Sequence, residues 1–443
     1  MGIARGVTHK GPREVASSSM PGWLDRAAKL PRRKSISTAE NALVELLRRE
    51  GELTKSSLVA FTDFSRTKIT GCIDSLLSKS ILVANTSTEY SGGRRSKSFR
   101  LNEKLGVVAG IQIGAIDFDL GIADFSGKLL VKHSEPAVVQ DGPICTLGRA
   151  CALLEGWLAK NGLAAENVMG IGIGVPGPVD FSAGTVVSPP IMPGWDRYPI
   201  ADTVQQWFPF ANVVVDNDVN VMALGEMRQG AARGADHVIS VKMGTGIGAG
   251  IVCEGRIYRG SSGCAGDIGH ICVDKNGPMC PCGNKGCLEK IAGGAGIAER
   301  ALAGARAGRS PALMQRYESN GNVLGAQDVG VAAQQGDAFA IEVVRESGRL
   351  VGEVLAALVN FYNPDMIVIG GGVSNLGDLL LSSIRQAVFK RSLPLATRNL
   401  QIVFSGIGPD AGMLGAIGLG LDYVLAIVPE GPGETRDQEG GRP

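Results

Sequence analysis

Three cysteines, Cys280, Cys282 and Cys287, fall within eight residues, and His270 lies ten residues before the first of them. Three thiolates and one imidazole are the donor set of a closed tetrahedral zinc site, a structural metal with no open position for chemistry. Gly283 and Gly286 permit the tight turns that would aim the sulfurs inward. Buried or disulfide-paired cysteine is the alternative, but Cys280 and Cys282 are too close in sequence to pair comfortably with each other. Asp267, His270 and Glu289 flank the knot, so a metal-braced loop would present polar side chains to a ligand.

Two further groups could meet a ligand. Gly244-Thr245-Gly246-Ile247-Gly248 follows an apolar stretch and offers backbone N–H groups with little side-chain hindrance, which suits phosphate; tight packing is the alternative. A short strand, Val213 to Val215, ends in Asp216-Asn217-Asp218. Carboxylates and amides hold hydroxyls directionally, because each hydroxyl both donates and accepts.

The elements that carry these groups alternate between strand and helix. Strands are predicted at Val107 to Ile113, Leu120 to Asp124, Lys128 to His133, Val168 to Gly174, His237 to Lys242, Ile251 to Cys253, Met366 to Ile369 and Gln401 to Phe404. Helices are predicted at Cys145 to Asn161, Val221 to Arg228 and Ala411 to Leu425, with a short buried helix at Val354 to Phe361. Two strand, glycine-turn, strand units, at Val107 to Asp124 and His237 to Cys253, predict two lobes of similar topology with a cleft between them.

Gly269-His270, nine residues, then Cys280-x-Cys282-Gly283-x-x-Gly286-Cys287-x-Glu289 resembles the signature of the ROK family (repressors, open reading frames and kinases), over roughly Leu105 to Val428. The resemblance implies an α/β, two-lobed actin/hexokinase-like (ribonuclease H-like) ATPase fold. It implies sugar contacts from Ser188, Asn217, Asp218, Asp267, His270 and Glu289, and nucleotide phosphate on Gly244, Thr245, Gly246 and Gly248. In the family's kinases the residue matching Asp218 takes the proton from the attacking sugar hydroxyl, and Gly370 to Gly372 matches a segment near the adenosine. This chain departs from the family at four places. Asp267 stands where the family has Glu, and Ile191-Met192 where an Asn usually precedes Pro-Gly-Trp. Gln112 and Ile116 replace the Asp and Thr of the first phosphate turn, Asp-x-Gly-Gly-Thr. Losing a carboxylate beside magnesium and a phosphate donor should cost several kcal/mol of transition-state stabilisation, since one such donor is worth about 3 kcal/mol. Asp117, shifted by one residue, is expected on the wrong face to substitute.

At 443 residues the chain is too long for one core, and the net charge of +1 conceals a basic stretch. Pro31 to Lys104 holds fourteen Lys/Arg against eight Asp/Glu. Within it, Ser37 or Thr38, Thr54 and Ser65 are predicted to cap three helices. The second would turn Leu58, Val59 and Phe61 inward; the third would run from Arg66 to Ser78. A hairpin with the tip Ser91 to Arg95 follows. This pattern resembles a winged helix-turn-helix; a small protein-docking module is the alternative. Candidate contacts to double-stranded DNA are Ser65, Arg66, Thr67, Lys68 and Thr70 on the third helix, and Arg94, Arg95 and Lys97 on the wing.

The expected division is a disordered segment 1–36, a winged helix-turn-helix 37–104, a first lobe 105–225 plus 411–428, a second lobe 226–410 with the zinc, and a disordered tail 429–443. Nine cysteines with metal spacing and no secretory signal point to a reducing cytoplasm. No apolar run reaches membrane-spanning length. The preferred function is a sugar-responsive DNA-binding regulator of carbohydrate genes, a repressor. It would bind its operator as a homodimer or homotetramer and answer a sugar or sugar phosphate, with zinc as structural cofactor. The alternative is an ATP-dependent sugar kinase of glucokinase or N-acetylhexosamine kinase type with an added DNA-binding domain, using ATP and magnesium and Asp218 as its catalytic base.

Overall fold

The computed structural model describes residues 34–86, 97–137, 139–189 and 192–428. The wing-tip arginines Arg94 and Arg95, Ile191 and the tail from residue 429 lie outside them.

Strand β1 (Lys34–Ser37) occupies the end of a segment expected to be disordered through residue 36. Ser37 then starts α1 (Thr38–Glu50) with a capping box. Its hydroxyl accepts from the Glu40 N–H at 3.2 Å, while Glu40 accepts from the Ser37 N–H at 2.5 Å. β2 (Leu53–Thr54) leads into α2 (Lys55–Ala60), capped by Thr54. Leu58 is buried, but Phe61, expected beside it, falls past the helix end and is exposed. α3 (Arg66–Ser78) has Ser65 as its cap and buries Ile69, Ile73 and Leu76. β3 (Leu82–Thr86) and β4 (Lys97–Leu101) pair antiparallel, and β2 joins them in the order β2-β4-β3. Three helices and this small sheet make a winged helix-turn-helix.

The first lobe is built on β5 (Val107–Ile113), β6 (Asp117–Asp124), β7 (Leu129–Pro136), β8 (Val168–Val175) and β11 (Asn212–Asn217), in the order β11-β8-β5-β6-β7. Helix α4 (Pro143–Lys160), the short hairpin β9 (Val179–Asp180) and β10 (Thr185–Val186), and α5 (Ile200–Trp207) surround it. Helix α6 (Asp218–Gln229) follows β11 directly.

The second lobe repeats the plan. β12 (Val238–Met243) is flanked by antiparallel β13 (Ile247–Cys253) and β14 (Arg256–Tyr258) on one side, and by parallel β15 (Met366–Gly370) and β16 (Gln401–Phe404) on the other. The two five-stranded sheets therefore share one strand order and one pattern of directions. Between β14 and β15 lie α7 (Leu288–Ala292), α8 (Gly294–Arg306), α9 (Pro311–Ser319), α10 (Ala326–Gln334) and α11 (Ala338–Tyr362). The run expected as a short helix at Val354 to Phe361 is the last part of α11, which has 25 residues. α12 (Asp378–Arg391) and α13 (Pro394–Thr397) precede β16.

The chain then returns. α14 (Ala411–Val424) packs on the first sheet so closely that a methyl at Gly172 would overlap the Ala416 carbonyl oxygen. It also shares a core with the head: Met413, Leu414, Ile417 and Leu421 cluster with Leu43, Leu47 and Leu101. The helix ends at Val424, one residue short of expectation, because Leu425–Val428 forms β17 and pairs in parallel with β1. Head and body are thus joined by apolar packing and by a two-stranded sheet. No helix among the described residues is long and apolar enough to cross a membrane.

Candidate functional site

The four metal candidates converge. Nδ1 of His270 and the sulfurs of Cys280, Cys282 and Cys287 all lie within 4.8 Å of one another. Cys282 and Cys287 sulfurs are 3.6 Å apart, and Cys280 sulfur is 3.7 Å from His270 Nδ1. A tetrahedral zinc with bonds of about 2.3 Å to sulfur requires sulfurs about 3.8 Å apart, so the knot fits that ion. The Asn284 backbone chiefly lowers the Cys282 thiol to about 7, whereas burial pushes Cys287 up to about 12. A bound cation would favour the thiolate at all three cysteines. His270 turns its other nitrogen toward Asp267, 3.9 Å away. One imidazole can therefore ligate through Nδ1 and address the cleft through Nε2.

The loop that carries these four residues lies on the glycine turn of the second lobe. Glu289, at the start of α7, accepts a hydrogen bond from the Ile247 N–H at 3.1 Å, and its carboxylate fills the space a side chain at Gly246 would need. The turn is held from below: the Gly294 N–H at the start of α8 donates to the Gly244 carbonyl at 2.8 Å. Gly371, with φ +85°, packs against the Met243 backbone. Gly244, Thr245 and Gly246 thus form the β12–β13 connection and Gly248 is the second residue of β13, with Gly371 beside the turn.

Across the cleft, Asn217 caps α6. Its Oδ1 accepts from the Val219 N–H at 3.0 Å, and its Nδ2 donates to the Gly177 carbonyl at 2.6 Å. Pro189 leans on Gly177, which puts exposed Ser188 on the same rim. Asp216 is buried and holds this strand end: it accepts from the Asn217 N–H, from Asn220 Nδ2 at 3.0 Å, and from both Nε and Nη2 of Arg259 at 2.9 and 2.7 Å. Arg259 stacks 4.0 Å above the Phe181 ring. Arg259, and the role of Asp216 as its partner, were not singled out by sequence, since their pairing needs both lobes in place.

Asp218 is buried, and its Oδ2 lies 2.6 Å from Nζ of Lys242 on β12. Burial alone would lower the Lys242 ammonium, but Asp218, Asp117 and Asp119 together hold it above its usual range. A lysine at the end of an otherwise apolar strand was a signal the sequence carried and reasoning passed over. Asp117 also requires a correction. It was expected to be turned away; instead it and Asp119 stand two apart on β6, Asp119 opposite Gln112, so all three share a sheet face. Burial chiefly pushes the Asp119 carboxyl up. Gln112 itself is buried, its Oε1 lacks a partner among the described residues and its Nε2 is 3.3 Å from the Ile113 carbonyl. Ile116 is 67% exposed at the mouth of that turn, offering no donor to phosphate.

On the head, Ser65, Arg66 and Thr67 are exposed at the start of α3, with Lys68 and Thr70 half-buried and Lys97 exposed on the wing. Two hydroxyls expected at DNA are engaged within the helix. Ser65 accepts from the Lys68 N–H at 3.2 Å, and Thr70 donates to the Arg66 carbonyl at 2.6 Å.

Two lobes of one topology around a cleft, with a cysteine-histidine knot at its rim, define a sugar-kinase-like body carrying a winged-helix head. The ROK family profile matches residues 108–422, and the chain belongs to the ROK family. A glucokinase of Halalkalibacterium halodurans is 36% identical over 307 residues, covering 69% of this chain and 92% of that protein. A putative xylose repressor of Caldicellulosiruptor sp. is 29% identical over 378 residues, covering 85% of this chain and 93% of the relative. Among solved structures, a ROK family transcriptional regulator, a homologue of the E. coli MLC protein, superposes with a TM-score of 0.74 at 26% identity, covering 87% of this chain and 95% of that one.

Proposed function

We propose that this chain is a sugar-responsive transcriptional repressor of carbohydrate genes. The observation that carries the reading is the seating of a winged helix, with Arg66 exposed at the start of α3, on a sugar-kinase-like body. Coverage supports it. The glucokinase match takes in 69% of the chain, while the xylose repressor match takes in 85%, a difference about the size of the head. The first phosphate turn supports it too: Gln112 is neutral and Ile116 apolar where magnesium and phosphate would need partners.

In this reading, Ser188, Asn217, Asp218, Asp267, His270 and Glu289 line the sugar site, and zinc on His270, Cys280, Cys282 and Cys287 fixes the loop that brings Asp267, His270 and Glu289 to it. The ion supplies rigidity and no chemistry. The α3 start and the wing, including Arg94 and Arg95, contact the operator, which a homodimer or homotetramer would read as paired half-sites. Sugar binding closes the lobes and changes the spacing or tilt of the heads.

The kinase reading has its own support: Asp218 is in place, the Gly244 to Gly248 turn is intact, and identity to the glucokinase reaches 36%. One experiment separates the two. Operator binding is measured by fluorescence anisotropy across a panel of sugars and sugar phosphates, beside ADP release with the same sugars and ATP. The regulator reading expects one sugar class to shift operator affinity, with no sugar-dependent ADP release. Brisk release that Asp218→Asn abolishes, with operator binding indifferent to every sugar, overturns it.

A further inference from the structure

Helix α6 begins at the candidate sugar site and ends at the head. Asn217 caps it and Asp218 is its first residue. Its 12 residues span about 18 Å. In its last turn, Arg228 Nη2 lies 2.9 and 3.0 Å from the two carboxylate oxygens of Asp422 on α14, and Nη1 pairs with Glu45 on α1. Arg48 of α1 closes the ring, reaching Glu45 at 2.8 Å and Asp422 at 3.4 Å, with its guanidinium 5.6 Å from the centre of the Phe125 ring. Two arginines and two carboxylates from three helices therefore meet where head and body join.

Little slack separates the two ends of α6. A methyl at Gly415 would overlap the Val221 carbonyl oxygen, and one at Gly225 would overlap the Ala411 carbonyl oxygen, so α6 and α14 touch backbone to backbone. Packed interfaces of this kind shift as units. α14 is also the floor on which the head's core rests. At the other end, a hydroxyl that engages Asp218 must join or displace Lys242, whose ion pair spans the two sheets. Occupancy of the cleft thus acts on the first residue of the same helix whose last turn grips the head.

We propose that α6 transmits effector occupancy to the DNA-reading head, and that Arg228 is the positioning residue that couples them through Glu45 and Asp422. The inference rests on the sugar-responsive reading above and adds the element that carries the response.

The test compares Arg228→Met, which keeps the stem and removes the charge, with Arg228→Lys, which restores a point charge. For each, sugar affinity of the DNA-free protein is measured by calorimetry, and operator affinity with and without saturating sugar by anisotropy. The wild type sets the coupling factor, which for allosteric pairs is about 5- to 150-fold. Arg228→Met is expected to bind sugar within about twofold of wild type and to bring the coupling factor close to one, with Arg228→Lys recovering a large part of it. A wild-type factor in Arg228→Met overturns the inference. Should that variant fail to fold, Glu45→Gln tests the same pair from the head side, with the same two outcomes. A wild-type protein whose operator affinity ignores every sugar overturns the functional reading itself. A responsive wild type with an equally responsive Arg228→Met overturns only the coupling.

Discussion

Lys242 and Asp218 join the two sheets across the floor of the cleft, with Nζ 2.6 Å from Oδ2. The ammonium stands between the glycine turn of the second lobe and a buried carboxylate of the first. Removing one member leaves the other charged and partly desolvated, which costs more than removing both. Lys242→Met alone should destabilise the protein by about 1 to 3 kcal/mol, and Lys242→Met with Asp218→Asn by less than the sum of the two single changes. A double-mutant cycle in urea measures the difference, expected at about 1 to 2 kcal/mol. Strict additivity would mean that the pair does not hold in solution.

The metal knot makes a second prediction. Purified protein should carry about one zinc per chain, and Cys287→Ser should lose it, together with sugar affinity. Cys264→Ser, an exposed cysteine outside the knot, should keep both. Elemental analysis and calorimetry read the two quantities. Zinc-free protein with unimpaired sugar binding would remove the loop-bracing role.

On the head, Arg66→Ala should weaken operator binding by about 1 to 3 kcal/mol if it reads a base edge, with relaxed specificity at one position. Lys97→Ala should weaken all sequences alike and flatten the dependence of log affinity on log salt by about 0.9. Affinities indifferent to both changes would argue for the protein-docking alternative.

Acid stability offers a fourth. Arg149 donates to both oxygens of Glu135, at 2.8 and 3.0 Å, and His133 lies 3.1 Å away. Chiefly the Arg149 hydrogen bonds hold this carboxyl at about 2, against a usual value of 4.5. A lowered folded-state value gives stability that is fully present above 4.5 and lost as pH falls toward about 2. Glu135→Gln should therefore unfold at lower urea than wild type near neutral pH, and the gap should close across that acid window. A gap of constant size from neutral pH to about 2 would mean that the ion pair contributes nothing.

What the sequence disclosed depended on distance along the chain. The knot was legible because its four ligands lie within one loop of 18 residues, His270 to Cys287. The bounds of α3 were legible because Ser65 and the Ile69, Ile73, Leu76 stripe are local signals. The fold of each lobe could be inferred from a repeated strand, turn, strand unit. Lys242 and Arg259 escaped notice because their partners, Asp218 and Asp216, sit on the other lobe. The length of α11 was hidden by Gly348 and Gly352, which break the helical pattern yet serve it: a methyl at either would crowd α12, at 2.8 Å from the Leu380 carbonyl oxygen and 2.6 Å from that of Ile384. Asp117 was misplaced because the second strand was expected to begin only at Leu120; it begins at Asp117, whose carbonyl accepts from the Gly114 N–H at 2.8 Å, so Asp117 and Asp119 follow the alternation of the strand.

The pairing of Lys34–Ser37 with Leu425–Val428 sets an order of events during synthesis. A nascent chain displays its DNA-reading helix early, but Leu425–Val428, the strand that pairs with β1, emerges only after both lobes. Until then the strand pairing that joins head and body is missing. Translation that stalls before Leu425 would leave the head without one of its attachments to the body, so a segment made after both lobes completes the seating of the module made first.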